Sequence, residues 1–338
     1  MNCIFLCLIM NIVTFYNSYP GMYITQSFFH SFIAALLVDA ALQAWKIENP
    51  VVRQRFRLLV IVLPILSFPL YQAINPLRSS LSFRLEALFD MTRWLNLEIW
   101  RGISAWVLFL MLLSLTTIVF IVQEIIPIIK HALASRGKEA QGEKPAADSM
   151  VSKALAHLPD PKPEVFIIQD DDLILFVTTG KRPAIFISTG TAETLTEEEI
   201  QTAIAHEIAH IERNKLPLLI VTFLLRIVQF FNPIALVEFR RIVQEEEKIC
   251  DDIAITLTGK SQALADTLRK FHGPADEGEA GQAEITLARD RLEEFSHAMI
   301  IEDRIARLEA NRIQRRTKDR FAFVLTSIAI IMINYSVV

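Results

Sequence analysis

The sequence is poor in cysteine and in net charge. Its 338 residues include three cysteines, an odd number, and Cys3 and Cys7 both lie in an apolar N-terminal segment. We therefore expect no disulfide framework. The formal net charge of −4 is too small to suggest nucleic acid as a partner. These two shortages exclude a disulfide-stabilised scaffold and a nucleic-acid-binding protein.

Apolar residues are in excess: they make up 52% of the chain, and they come in blocks. Four blocks approach or reach the roughly 17 to 25 residues that span a bilayer. These blocks cover about residues 22–38, 58–74, 104–123 and 321–338. We predict that all four are transmembrane helices and that the lipid bilayer is one partner of the chain.

Two further apolar blocks are ambiguous. Residues 3–16 lack the positive start and the small-residue cleavage site of a signal peptide, so they are either a short extra span or an extension. Residues 216–237 carry Arg226 at their centre, and a central arginine costs about 2.5 to 3.5 kcal/mol in lipid. We expect 216–237 to form a helix that is buried in the soluble domain or lies at the membrane boundary.

The distribution of basic residues predicts an orientation. They crowd the loop after the first span and the segment after the third: Lys46, Arg53, Arg55, Arg57, Lys130, Arg136, Lys138 and Lys144. Under the positive-inside rule both segments are cytoplasmic. The loop 75–103 then faces the other side. Its leucines recur along one face, which predicts one amphipathic helix; this helix could lie at the membrane surface, but we expect it to rest on the spans.

The soluble part follows a polar segment that has too few apolar residues to pack. Short β-branched and aromatic runs at 164–169, 173–179 and 183–189 predict three strands separated by turns. Thr196 and Glu199 then form a capping box that begins a helix. The predicted order is membrane region 1–133, flexible linker 134–150, soluble domain 151–320 and C-terminal transmembrane helix 321–338.

The helix after the capping box contains "HEIAH", which holds His206, Glu207 and His210. Spacing of four residues puts both imidazoles on one face, one turn apart, where both can reach one tetrahedral metal ion. Glu207 points toward the space beside them. The alternative is a surface helix with two unrelated histidines, because a five-residue pattern also occurs by chance.

A catalytic zinc needs a third protein ligand, and a ligand histidine needs a carboxylate to orient it. The segment 244–259 predicts a second helix that ends at Gly259. Within it, only Glu247 has an aspartate four residues later, Asp251. This spacing selects Glu247 as the ligand and Asp251 as the orienting carboxylate. Cys250 is better explained as a small buried residue than as a ligand.

Three stretches, "AIAHEIAHIERN", "FFNPIALVEFRR" and "EEEKICDD", resemble the BlaR/MecR-type membrane zinc metallopeptidases and, more distantly, the HtpX and CAAX-prenyl endopeptidases. The resemblance extends from about Pro183 to Leu308. It implies an α-helical polytopic membrane protein with an α+β zincin-like (gluzincin) metalloprotease domain.

The resemblance also implies a site and a location. The metal ligands would be His206, His210 and Glu247, holding one zinc ion per chain, and Glu207 would be the general base. The site would face the cytoplasm from the bacterial inner membrane. His297 and Arg304 are in positions that resemble a downstream His and Arg of the CAAX-protease relatives. His297 is therefore a further catalytic candidate, whereas Arg304 could equally form an ion pair on a solvated helix.

The expected function is zinc-dependent hydrolysis of peptide bonds in a protein or peptide substrate at the cytoplasmic membrane face, in regulatory signalling. Two alternatives are a quality-control protease similar to HtpX and a catalytically idle transmembrane receptor or scaffold. The sequence leaves open whether copies of the chain form a homo-oligomer. No penicillin-binding sensor follows the last span, so we do not expect β-lactam sensing.

Overall fold

The computed structural model describes residues 18–100, 103–134, 142–178, 183–213, 218–272, 301–310 and 319–338. The ambiguous segment 3–16 lies outside these residues. The described chain is mostly helical, with one three-stranded sheet and one short hairpin.

The elements before residue 135 are mostly helices, with two short strands among them. In order they are α1 (Tyr19–Ala44), α2 (Pro50–Ile74), a 3-10 turn (Pro76–Ser79), α3 (Leu81–Glu86), α4 (Met91–Leu95), β1 (Glu98–Trp100), β2 (Ile103–Ser104), α5 (Ala105–Phe120), a π-helical turn (Ile121–Ile125) and α6 (Ile126–Ala134).

A mixed region with the larger sheet follows. It comprises α7 (Met150–Ala156), β3 (Glu164–Ile168), β4 (Leu175–Thr178), β5 (Ala184–Ser188), α8 (Thr189–Thr194), α9 (Glu197–Arg213), α10 (Leu218–Val228), α11 (Pro233–Thr258) and α12 (Ser261–His272). The described part of α13 covers residues 301–309, and α14 is Asp319–Tyr335. The three predicted strands are thereby confirmed.

In the part of the chain that the structure describes, three helices are long and apolar enough to cross a membrane. They are Tyr19–Ala44, Pro50–Ile74 and Ala105–Lys130, and they match the first three predicted spans. The fourth predicted span, 321–338, forms α14, whose 17 residues are at the short end of the range for a spanning helix. That it spans stays a prediction.

The single amphipathic helix that we predicted after α2 is wrong, because the chain forms α3, α4 and a hairpin there. Asp90 causes the break. Its side chain accepts hydrogen bonds from the backbone N–H groups of Thr92 and Arg93, which begins a new helix at Met91. The same carboxylate is held by Arg84 from α3, at 2.8 Å.

The described residues belong to two compact units. The first comprises Met1–Lys138, Leu219–Glu245 and Arg316–Val338, and the second comprises Glu139–Leu218 and Glu246–Arg315. We expected the apolar segment 216–237 to form a helix that is buried in the soluble domain or lies at the membrane boundary. Its helix α10 ends at Val228 and groups almost wholly with the first unit, where buried Arg226 pairs with Glu124 and lies over the ring of Phe120.

Part of the predicted linker 134–150 is structured. The backbones of Glu143 and Ile167 exchange two hydrogen bonds, of 2.9 and 2.7 Å, which attach this segment to β3. Ser149 caps α7 by accepting from the backbone N–H of Ser152. Residues 135–141 of the predicted linker lie outside the described residues.

The core of the second unit lies between the sheet and α9. The strand order is β3-β5-β4, with β5 parallel to β3 and antiparallel to β4. Apolar side chains from the central strand and from α9 are buried together, including Ile185, Ile187, Ile200 and Ile204. This packing fixes the helix that carries both histidines.

The predicted capping box at the start of α9 is confirmed. The backbone N–H of Thr196 donates to Glu199 Oε2 at 2.7 Å, and that of Glu199 donates to Thr196 Oγ1 at 3.4 Å. Lys270 from α12 also contacts Glu199 Oε2 at 2.8 Å. The first turn of α9 is therefore anchored by both its own residues and a neighbouring helix.

Gly190 lies in the second unit at a position where a side chain would collide with backbone atoms. Its N–H donates to Asp170 O at 2.9 Å, and a Cβ there would lie 2.0 Å from Asp171 O.

We expect Gly190→Ala to destabilise the second unit by about 1 to 3 kcal/mol, as overpacking does. Thermal unfolding of the purified protein measures this. Glu193→Ala, at an exposed position of the same helix, is the control and should unfold like the wild type. Equal unfolding temperatures for the two variants would contradict the role assigned to Gly190.

Candidate metal centre

Two imidazoles face each other in the middle of α9. His206 is 9% exposed and His210 is half-buried, and their Nε2 atoms are 3.1 Å apart. Spacing of four residues in a helix explains this approach, because it stacks the two side chains one turn apart. The Nε2 atoms of His206 and His210 are therefore directed at the same position in space.

The second half of α11 brings Glu247 to the same point. Its Oε2 lies 3.5 Å from His206 Nε2, and its Oε1 lies 3.6 Å from His210 Nε2. Ligands at 2.0 to 2.2 Å from a tetrahedral zinc are separated by about 3.3 to 3.5 Å. The three side chains therefore fit a single zinc-sized cation, with their ligand atoms all within 4.8 Å of one another.

Asp251, one turn after Glu247, lies behind His206. Its Oδ1 is 3.1 Å from His206 Nδ1, so the opposite ring nitrogen faces His210 and Glu247. The carboxylate is fully buried. Burial raises the pKa of Asp251, but its contacts with His206 and Arg304 more than offset this and hold the pKa well below its usual range. Asp251 is therefore ionised at neutral pH.

Arg304 from α13 completes this buried group. Its Nε and Nη2 donate to the two oxygens of Asp251 at 2.9 and 2.7 Å. Its Nη1 lies 3.2 Å from Glu247 Oε2. One guanidinium thus contacts both carboxylates and neutralises part of their charge.

The carboxylates shape the electrostatics of the two histidines. Burial lowers the pKa of His206, but contacts with Asp251 and Glu247 outweigh burial and raise it to about 9. The pKa of His210 is lowered, first by burial and then by the positive charge of His206. The negative potential that holds a proton on His206 would also attract a metal cation.

Glu207 follows His206 directly and is half-buried. Burial raises its pKa to about 7, with Glu247 adding to the rise and His206 opposing it. A carboxylate with a pKa near neutrality can both accept and release a proton. Glu207 therefore differs from Glu247, whose pKa is lowered because its contacts with His206 and Arg304 outweigh burial.

Cys250 is fully buried, and its Sγ is 3.4 Å from His210 Nδ1. Burial raises the pKa of its thiol, so the group stays protonated. A protonated thiol is a poor metal ligand. Cys250 is thus the small buried residue expected from the sequence, and it packs behind His210.

The two glutamates before Glu247 have other partners. Glu245 accepts from Arg53 at 2.8 Å, and Glu246 is held by Arg213 at 2.6 Å. Both are buried, whereas three consecutive glutamates normally form a solvated face. Only the third glutamate of the run faces the histidines.

The structure thus brings together His206, His210, Glu247 and Asp251, while His297 lies outside the described residues. Arg304, for which the sequence left two interpretations open, is buried in the site rather than on a solvated helix. One sequence signal points to this position. Arg304 lies on the same face of its helix as the core residues Ile301, Ile305 and Leu308, and an arginine on an apolar face indicates a buried partner.

Apolar helices long enough to cross a membrane, together with a partly buried His-His-Glu cluster and a neighbouring glutamate, are typical of membrane metallopeptidases. The family model described as BlaR1 peptidase M56 matches residues 91–284, more than half of the chain. The protein is therefore a member of the BlaR1 peptidase M56 family. The match includes both histidines, Glu247 and Asp251, but it ends before Arg304.

The role of Asp251 can be separated from that of its neighbour. Asp251→Asn removes the charge behind His206, and we expect the zinc affinity to fall about 10- to 100-fold, as is typical when such a carboxylate is lost. Titration with a competing chelator measures this. Asp252→Asn is the matched control, because Asp252 pairs with Arg307 at 2.6 Å and faces away from the histidines. If both variants bind zinc equally well, Asp251 does not orient His206.

Proposed function

We propose that this protein is a zinc metalloendopeptidase that hydrolyses peptide bonds of a protein substrate at the cytoplasmic face of the membrane, in regulatory signalling. The convergence of His206, His210 and Glu247 beside Glu207, in a member of the BlaR1 peptidase M56 family, supports this. One zinc ion per chain is implied, because the three side chains serve a single position.

The donor set favours zinc over the alkaline-earth cations. Two imidazole nitrogens and one carboxylate oxygen suit zinc, whereas calcium and magnesium take oxygen ligands almost exclusively. Three protein ligands would leave room for solvent or substrate at the ion, as catalytic zinc sites do. The chemistry that zinc supplies in such a site is Lewis acidity, which activates water and polarises the scissile carbonyl.

Glu207 is the proton carrier of the proposed reaction. Its carboxylate takes a proton from the attacking water and later donates that proton to the leaving amide nitrogen. Its position beside His206 and its raised pKa both suit this double role. No side chain needs to form a covalent intermediate.

Asp251 and Arg304 support the reaction because they position the metal ligands. Asp251 fixes the ring of His206, and Arg304 holds Asp251 and the side chain of Glu247 in place. We assign the second unit to the zincin-like (gluzincin) class on this arrangement. The helix with both histidines packs against a mixed sheet, and a later helix supplies the glutamate.

The proposed orientation can be tested by cysteine labelling. In a cysteine-free background, Asn96→Cys places a thiol at an exposed position between α2 and α5, and Ala140→Cys places one after α6. With a cytoplasmic site, an impermeant thiol reagent should label position 96 in spheroplasts and position 140 only after permeabilisation. The reverse pattern would place the site on the opposite side of the membrane.

The proposed peptidase activity depends most on Glu207. Glu207→Gln preserves shape and leaves His206, His210 and Glu247 to hold the metal, so zinc content should remain one per chain. Loss of the proton carrier should slow cleavage by about 10² to 10⁴-fold. The measurement is quantitative mass spectrometry of new protein N-termini, which compares membranes that contain the wild-type protein with membranes that contain the Glu207→Gln variant.

The matched control is Glu212→Gln, at an exposed position of the same helix beyond the site. It should cleave like the wild type. A Glu207→Gln protein that retains wild-type cleavage would show that the mechanism is wrong. If neither the wild type nor the variants produce new N-termini while zinc is bound, the protein is an idle receptor or scaffold. New N-termini spread over many damaged membrane proteins would instead indicate quality control.

A further inference from the structure

A polar cleft of about 430 Å³ lies in the first unit where α1 ends and α2 begins. It is lined by Asp39, Leu42, Gln43, Lys46, Ile47, Glu48, Arg53, Arg57 and Arg241. Four of these nine residues are lysine or arginine and two are acidic, so its lining is positive overall. None of these nine residues contributes to the metal centre.

The arginines of the cleft are held by two carboxylates, of which Glu238 is buried and Asp39 is partly exposed. Arg57 is 5% exposed, and its Nη1 lies 3.0 Å from Glu238 and 3.4 Å from Asp39. Arg241 shares the same two carboxylates, at 2.7 and 3.1 Å. Asp39 is therefore already compensated by two arginines. This network fixes the shape of the cleft before any ligand arrives.

Two donors at the cleft remain available. Among the described residues, the buried Nε–H of Arg57 makes no hydrogen bond, and Glu245 Oε1 lies 4.0 Å from Nε, at the outer limit of an ion pair. Lys46 is exposed, its backbone has a φ of 49°, and it forms no ion pair within the described part of the chain. Buried donors are nearly always paired, so an acceptor is expected here.

The position of the cleft identifies the source of that acceptor. Both α1 and α2 are long enough to span a bilayer, so their joined ends lie at the level of the lipid headgroups. Leu36, one turn before Asp39 on α1, is 56% exposed, as a lipid-facing residue would be. Trp45 is also exposed beside the cleft, and tryptophan is enriched at this depth.

We propose that this cleft binds the phosphate group of an anionic phospholipid, whose acyl chains lie along the exposed face of α1 below Asp39. Lys46 and the Nε–H of Arg57 are phosphate donors, together with Nη2 of Arg53, whose Nε and Nη1 already donate to Glu245 and to Ile47 O. The proposal is independent of the peptidase reaction, because it concerns only residues of the first unit.

The test is native mass spectrometry of the full chain in detergent, titrated with phosphatidylglycerol. Lys46→Gln and Arg53→Gln should each weaken binding about tenfold, the loss expected for one charge-assisted hydrogen bond. Arg55→Gln is the matched control. It makes the same charge change at an exposed position of the same helix end that does not line the cleft, and it should bind within about twofold of the wild type.

Two further ligands show whether the cleft prefers an anionic lipid headgroup, a zwitterionic one or a soluble phosphate ester. Phosphatidylcholine, which is zwitterionic, should bind more weakly than phosphatidylglycerol, and glycerol phosphate without acyl chains should bind more weakly still. Equal losses in all three variants would show diffuse charge attraction and overturn the proposal. Binding of glycerol phosphate as tight as that of the lipid would assign the cleft to a soluble phosphate and would overturn it too. Because Lys46 is exposed, its variant should fold normally, so a Lys46→Gln protein with full affinity would also contradict the site.

Discussion

The candidate metal centre depends on one buried carboxylate, that of Asp251. It has no exposure to solvent, and it contacts His206 on one side and Arg304 on the other. Removing an ionised carboxylate from water costs several kcal/mol, which is offset only when charged partners satisfy it. Since the three residues come from α9, α11 and α13, the three helices must pack correctly for the carboxylate to be buried at all.

This requirement links folding to the geometry of the site. The contact between Asp251 and His206 Nδ1 turns Nε2 of that ring toward His210 and Glu247. Arg304 reaches past Asp251 to Glu247 as well, at 3.2 Å, so the same guanidinium positions both acidic side chains. Loss of Arg304 would leave the two carboxylates with His206 as their only remaining charged partner among the contacts described above. The glutamate and the histidines are therefore placed by the group behind them rather than by their own helix alone.

The three consecutive glutamates of helix α11 contact different partners. Glu245 pairs with Arg53 within the first unit, and Glu246 pairs with Arg213 within the second. Only Glu247 is directed at the histidines. A helix turns by about 100° per residue, so consecutive glutamates necessarily point to different neighbours. For this reason the three consecutive glutamates do not form a solvated face of the helix.

The sequence predicts the parts of the site that depend on spacing within one helix. His206 and His210 approach each other because they are four residues apart, and Glu247 and Asp251 share a face for the same reason. Arg304 could not be assigned in this way. Its partner Asp251 is 53 residues away in the chain, and only tertiary packing brings the two together. The short helices after α2 were missed because a local cap at Asp90 overrides the pattern of leucines.

The same limit applies to the membrane unit. Hydropathy predicts the first three spans, since length and composition are local properties. It left two positions open for the segment that forms α10, and it could not show that Arg226 pairs with Glu124, which is far away in the sequence. Buried charges with distant partners are what single-sequence patterns fail to show.

X-ray absorption spectroscopy of the purified, zinc-loaded protein tests the central claim most directly. The account predicts one zinc per chain with only nitrogen and oxygen neighbours, at about 2.0 to 2.2 Å, including scattering from two imidazole rings. A sulfur neighbour at about 2.3 Å would make Cys250 a ligand and contradict the account. So would a zinc ion with fewer than two imidazole neighbours, because His206 and His210 could not then both hold it.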